Sequence, residues 1–190
     1  MEKELKEFNG VKLSSLSEFR ENSIKGPQDV NIENYRLEIY ENGVLKKEYK
    51  YDEILNKFEP QKRIITLFCV EGWDTKVLYE GVKLLDVLKD SQVSLDYKIL
   101  IFTGVDGYKT SLEKDFVLNN EILIAYNMNG ITIPKENGFP FVLIGENKWG
   151  YKWIKWLQKI ELSNDEYFRG YWESRGYSNS ANLNEPFFER

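Results

Sequence analysis

The sequence predicts a single α+β domain, mostly β with short helices inserted between the strands, and three observations carry that expectation. The chain has 190 residues, which suits one compact core at about 100–200 residues per domain. Period-two alternation and short β-branched runs recur along it, while helical spacing is confined to short stretches, unlike a regular βαβ alternation. Two Asn-Gly pairs, Asn42-Gly43 and Asn129-Gly130, follow apolar runs and mark hairpins, because both residues tolerate the positive φ of such turns. There is no internal repeat and no low-complexity linker, so no boundary divides residues 1–190.

The elements follow in order. Residues 1–13 are rich in Lys and Glu and read as a loosely held arm. Ser15-Leu16-Ser17-Glu18 has the capping-box spacing, which predicts a short helix to about Glu21, closed by Gly26-Pro27. Residues 35–40 alternate at period two and form a hairpin with Val44-Leu45 across Asn42-Gly43. Residues 51–58 read as a helix and residues 63–69 as a buried strand ending at Cys69. Glu71-Gly72-Trp73-Asp74 is loop, residues 77–84 a short strand, and Leu84, Leu85, Val87 and Leu88 the apolar face of a helix. Beyond them lie a strand at 97–102, a turn at 104–108, a short helix at 112–118 and a strand at 122–126. Residues 131–133 complete the second hairpin, 134–140 is loop, and 141–144 and 152–162 are the last strands. Residues 170–190 read as an aromatic, Asn-rich coil, with 178–190 its terminal part.

Composition excludes whole classes of chemistry. The chain has no His and one Cys, Cys69, which removes His-based triads, His-ligated or Cys-cluster metal sites, iron–sulfur clusters and intramolecular disulfides. A net charge of −5 argues against a nucleic-acid or anionic-membrane partner. The first 30 residues hold no apolar core of a signal peptide and no twin Arg, and no membrane-spanning run occurs, so a cytoplasmic protein is the expectation.

Two features carry chemistry. A lone Cys is commonly a small buried hydrophobe, yet Cys69 stands where a strand meets a loop, and such places form sites. Its thiolate could serve as nucleophile or soft-metal ligand, and the absence of any His base weakens the first reading. The second feature is residues 148–159, which hold four Lys and no acid in an acidic chain. Continuous strand geometry would put Lys152 on the face of Ile154, Trp156 and Ile160, aimed inward. Lys152 then either snorkels outward or, with the amides around Gly150, meets a phosphate. A Walker A loop is excluded, since Tyr151 rather than Lys follows Gly150.

Seven segments in order resemble the sulfite oxidase-like fold of molybdopterin-dependent oxidoreductases. They are Cys69-Val70-Glu71-Gly72-Trp73, Gly81-Val82-Lys83-Leu84, Asp106-Gly107-Tyr108 with Ser111, Ala125-Tyr126-Asn127-Met128-Asn129-Gly130, Asn137-Gly138-Phe139-Pro140, Gly150-Tyr151-Lys152 with Lys155-Trp156-Leu157, and Gly170-Tyr171-Trp172-Glu173. The resemblance covers most of residues 20–177. It implies a molybdenum-molybdopterin cofactor, with Cys69 as the metal ligand and a catalytic residue. Glu71 stands where the bacterial methionine sulfoxide reductase catalytic subunits, the most similar type, carry an acid near the metal. Gly150, Tyr151 and Lys152 match the segment around the pterin phosphate, Thr103 falls near a pterin-contacting threonine, and Arg20 and Asn22 lie where the early segment reaches the pterin.

Two departures narrow the expected activity. Sulfite oxidases carry arginines after the cysteine and after the Gly-Phe-Pro motif, where this chain has Val70 and Val142. Oxygen-atom transfer is therefore expected to reduce a small neutral S- or N-oxide rather than to oxidise sulfite. The haem and dimerisation domains of those enzymes have no counterpart in these 190 residues, which implies an external electron donor or acceptor and a monomer. The alternative is a binding module that keeps the fold without the chemistry.

Overall fold

The computed structural model describes residues 3–188 and contains two five-stranded sheets that share a core. In chain order the strands are β1 (Glu7–Phe8), β2 (Val11–Lys12), β3 (Leu37–Glu41), β4 (Val44–Tyr49), β5 (Gln61–Phe68), β6 (Asp74–Lys83), β7 (Ile99–Gly104), β8 (Lys109–Glu113), β9 (Leu123–Met128), β10 (Ile131–Thr132), β11 (Val142–Ile144) and β12 (Leu157–Ser163). The helices are α1 (Tyr51–Lys57), α2 (Leu84–Asp90) and α3 (Lys114–Asn119). One sheet runs β10-β9-β6-β5, with β11 also paired to β9, and the other runs β4-β3-β12-β7-β8. Only the β3–β12 pair is parallel within that second sheet. The α+β expectation holds.

Side-chain alternation along β9 divides the core. Ile124 and Tyr126 point into the cluster between the sheets, with Leu37, Ile39, Phe102 and Ile160 from the other sheet. Leu123 and Ala125 point the other way, into a second cluster with Ile65, Val77, Tyr79, Val142 and Trp153. The first sheet is therefore apolar on both faces, and segments outside the sheets cover its outer one, Leu16, Phe19 and Phe139 among them. The close approach of β6 to β9 depends on a missing side chain: a Cβ at Gly81 would lie 2.2 Å from the Ile124 carbonyl oxygen, beside a register shift at Glu80 and Gly81.

Several local expectations match. Asn42 and Gly43 adopt φ of 46° and 81°, the values a tight hairpin needs, and Asn129 and Gly130 repeat them at 47° and 77°. Helix α1 carries Asp52 and Glu53 in its first turn and Lys57 in its last, which suits the helix dipole, and buries Ile54.

Others are corrected. Ser15 and Glu18 do pair, the Ser15 amide donating to Glu18 Oε1 at 3.0 Å, but they close only a single 3-10 turn, Leu16–Glu18, long before Gly26. The arm is docked: residues 7–12 form a hairpin, Leu13 is buried, and the Leu5 amide donates to the Asn129 carbonyl at 2.8 Å. Strand β5 lies at a sheet edge and buries only Ile65 fully, so its apolar run is not the signature of a buried strand. Strand β8 went unread because its buried positions include the polar Thr110 and Ser111, and the helix predicted at 112–118 begins only at Lys114. The strand predicted at 152–162 is broken twice. Gly150–Lys152 is a 3-10 turn and Trp156 has φ of 51°, so β12 starts at Leu157 and the parity drawn from Lys152 does not apply.

Candidate functional site

A cavity of about 200 Å³ opens on the outer face of the first sheet, and Cys69 lines it together with Tyr79, Met128, Val142 and Trp153 of that face. Cys69 is placed there by the turn joining β5 to β6. Its amide donates to the Trp73 carbonyl at 2.9 Å and its carbonyl accepts from the Gly72 amide at 3.0 Å, with Gly72 at φ of 81°. The thiol is buried and free, and Asn22 Nδ2 donates to its sulfur at 3.7 Å. Burial pushes the Cys69 thiol above its ordinary pKa; the Glu71 carboxylate adds to this, while the Glu71 amide, the Asn22 amide and the Arg20 charge oppose it. A thiol kept protonated by its surroundings is unsuited to act as a free nucleophile, and it becomes a thiolate when a bound metal supplies the missing positive charge.

The wall beside Cys69 is the turn at Gly150. A Cβ at Gly150 would lie 3.3 Å from the Phe68 carbonyl oxygen and 3.8 Å from Cys69 Cα, so this loop packs directly on the backbone that carries the thiol. Tyr151 is held at both ends: its hydroxyl donates to the Ser178 carbonyl at 2.7 Å, and its carbonyl accepts from Tyr108 Oη at 2.6 Å. Gly150 and Tyr151 line the cavity, and so do Arg20, Asn22 and Glu71. Glu71 is exposed at the rim, where its carboxylate accepts from Trp73 Nε1 at 3.1 Å.

Two residues of the sequence reading lie elsewhere. The Lys152 side chain is fully buried, its ammonium donating to the Ser111 carbonyl at 2.9 Å and to Glu173 Oε1 at 2.6 Å, and it does not line the cavity. The 3-10 turn Gly150–Lys152 directs it into this buried pair. Thr103 sits in β7 opposite Lys159 and Lys109 and is likewise absent from the lining. Burial lowers the pKa of Lys152, and the Glu173 carboxylate opposes that shift. Lys148 is also buried, donating to the Ser180 carbonyl at 2.7 Å and Asn182 Oδ1 at 2.6 Å, and desolvation pushes its pKa down to about 8.

The cationic side chains that do line the cavity are Arg20 and Lys155. Sequence reasoning passed over Lys155 because continuous strand geometry turned it away from Lys152. Trp172, from the Gly170-Tyr171-Trp172-Glu173 segment, lines it as well, and so do Tyr177 and Phe19, which carry no local motif that distinguishes them from core aromatics. Asp106, from the Asp106-Gly107-Tyr108 segment of the resemblance, lines the cavity too; it is buried, and its Oδ1 accepts from the Tyr108 amide at 3.0 Å.

Among the described residues, no group of three or more His, Cys, Asp or Glu could hold a metal ion. A metal beside Cys69 would take its other ligands from outside such a cluster, from a cofactor or from solvent. One soft thiol on the wall of an aromatic cleft, with the amide of Asn22 turned toward it, fits a metal that a cofactor carries in.

Comparison with known proteins agrees. Residues 24–172 match the family described as the oxidoreductase molybdopterin binding domain. Over 153 residues the chain is 30% identical to a candidate protein-methionine-sulfoxide reductase subunit, YedZ1, of Azospira oryzae, covering 80% of this chain and 57% of that protein. It is 30% identical over 126 residues to the protein-methionine-sulfoxide reductase catalytic subunit MsrP of Xanthomonas campestris pv. campestris, covering 58% of this chain and 39% of that one. The sulfane dehydrogenase SoxCD from Paracoccus pantotrophus superposes with a TM-score of 0.66 at 20% identity, over 74% of this chain and 41% of that chain, and so shares the fold. The chain spans about 39–57% of the length of these two sequence relatives. With the match covering most of the chain, this protein belongs to the oxidoreductase molybdopterin-binding domain family.

Proposed function

We propose that this domain reduces a neutral S- or N-oxide by oxygen-atom transfer in preference to oxidising sulfite. The observation that carries the reading is the pair Val70 and Val142, both on the cavity wall, where a sulfite site needs cationic donors. At these two positions an anion meets no donor to offset its lost solvation, a cost of several kcal/mol, whereas a neutral oxide needs none; the cationic residues of the lining are Arg20 and Lys155. The names of the relatives, methionine-sulfoxide reductase subunits, support the same direction.

The molybdenum-molybdopterin group supplies the redox-active metal when bound. Cys69 holds it through sulfur, and Asn22 orients that sulfur by its hydrogen bond. Gly150 and Tyr151 form the wall on which the cofactor rests, with Tyr108 fixing the Tyr151 carbonyl. Phe19 and Trp73, in edge contact at 6.1 Å between ring centroids, close part of the mouth against water. Glu71 beside them carries protons between solvent and cleft, as reduction of an oxide to water requires. Among the described residues no helix is long and apolar enough to cross a membrane, and electrons come from an external donor.

The test compares kcat/KM for dimethyl sulfoxide reduction, driven by an artificial donor, with that for sulfite oxidation on cofactor-loaded protein at matched pH and ionic strength. Faster sulfite oxidation overturns the proposal. Cys69→Ser is expected to keep its fold and lose stoichiometric molybdenum, read by elemental analysis; wild-type metal content in that variant would remove Cys69 from the ligand set.

A further inference from the structure

Three segments that border the cleft carry an uneven charge. Ser23 and Ile24 line the cavity just before Lys25, Asp106 and Tyr108 just before Lys109, and Trp172 and Tyr177 on either side of Arg175, with Arg169 a few residues ahead. The segments are knit together. The Lys25 ammonium donates to the Asp106 carbonyl, the Tyr171 amide donates to the Lys109 carbonyl at 2.9 Å, and the Arg175 guanidinium lies 3.7 Å from the centre of the Tyr171 ring. Lys25, Lys109, Arg169 and Arg175 are all exposed, and among the described residues none of them pairs with a carboxylate. The acids of the same segments do not offset them at the surface: Asp106 is buried, and Glu173 is buried against Lys152. A chain of net charge −5 thus shows four unpaired cations beside its cleft. Tyr171 joins this face to the cleft, its ring 5.9 Å from that of Tyr108 and 5.2 Å from that of Trp172, both of which line the cavity.

We infer that Lys25, Lys109, Arg169 and Arg175 form the docking face for an acidic one-electron carrier protein, the external donor on which the proposed reduction rests. Charge complementarity selects the partner: an acidic protein is drawn to this face and turned away from the negative remainder of the chain. Redox carriers meet their partners over small, short-lived interfaces, where steering by charge counts for more than apolar area. A carrier seated here is separated from the cleft by the rings of Tyr171, Tyr108 and Trp172, so its redox group comes close to the site without entering the cavity. One sulfoxide, two protons and two electrons give one sulfide and one water. Each turnover therefore takes two encounters, and each carrier is oxidised by one electron.

The experiment uses flavodoxin, a small acidic flavin protein, as the probe. Calorimetry measures the affinity of its oxidised form for cofactor-loaded protein, and stopped flow the second-order rate at which the loaded protein oxidises its hydroquinone. Raising salt from about 0.02 M to about 0.2 M should lower both about tenfold in the wild type. Lys109→Glu with Arg169→Glu reverses two charges outside the cavity lining; it should lower both about tenfold at low salt and leave molybdenum content unchanged. Lys76→Glu with Lys89→Glu makes the same change in net charge on β6 and α2, and should stay within about twofold of wild type. Equal losses in the two double variants overturn the inference, since net charge alone then explains them. Wild-type binding that ignores salt, or that survives Lys109→Glu with Arg169→Glu, overturns it too. Loss of molybdenum in that variant would assign these cations to the cofactor, and binding to phosphatidylglycerol vesicles but not to flavodoxin would assign the face to a lipid surface; either result also sinks the inference. The calorimetry stands apart from the neutral-oxide reading, which faster sulfite than sulfoxide turnover by the wild type would overturn on its own.

Discussion

Removing Glu173 should leave an ammonium buried without a counter-charge. The side chains of Lys152 and Glu173 are both wholly inaccessible, their charged atoms lie 2.6 Å apart, and the remaining support is the Ser111 carbonyl at 2.9 Å from the ammonium and the Thr110 hydroxyl on the carboxylate. Breaking such a pair from one side costs about 3–5 kcal/mol, because the survivor keeps its desolvation penalty and loses its partner. Folded domains hold a margin of about 5–15 kcal/mol, so Glu173→Gln should remain folded but much weakened. For a chain of this size each kcal/mol moves Tm by about 2–4 °C, which predicts a fall of roughly 6–20 °C by circular dichroism. The double variant Lys152→Met with Glu173→Gln removes both charges and should recover most of the loss. Lys152→Glu should be worse than either, since it sets two carboxylates against each other in the core, and failed cofactor loading in that variant would report unfolding. A Glu173→Gln protein within about 2 °C of wild type would refute the reasoning, and would mean that Lys152 can leave its pocket and reach the cavity after all.

Two further outcomes follow from the same structure. Lys148 has a folded-state pKa near 8 against an ordinary 10.5, so between those values the unfolded chain binds more protons and stability rises with pH; below about 8 the full penalty is present. Urea denaturation at pH 7 and 10 should show this rise shrinking in Lys148→Met by up to about 3 kcal/mol, and an identical pH dependence in the two proteins would refute it. Gly81→Ala would drive a methyl group to 2.2 Å from the Ile124 carbonyl, forcing β6 and β9 apart, and is expected to lower stability by about 2–3 kcal/mol or more in the same assay; a neutral effect would contradict the close packing.

What was legible in the sequence is what short-range chemistry dictates. The Asn-Gly turns, the helix at α1 and the strand end at Cys69 depend on residues within a few positions of one another, and each stands where local pattern put it. The single Cys and missing His limited the metal chemistry by composition alone. Tertiary structure decided the rest. Lys152, Trp156 and Lys155 look like one strand in sequence, but Trp156 takes a left-handed backbone because its amide bonds the Gly138 carbonyl at 3.0 Å and its indole the Lys135 carbonyl at 2.7 Å, contacts no local window contains. The 3-10 turn ahead of that break takes Lys152 to the core, where Glu173 compensates its charge from 21 positions away. Lys155, beside the break, lines the cavity, where Glu21 meets it across 134 positions. Charge pairing over such separations is set by the fold and not by spacing, so the sequence by itself determined which chemistry this protein could hold, and only the packed chain decided which lysine faces it.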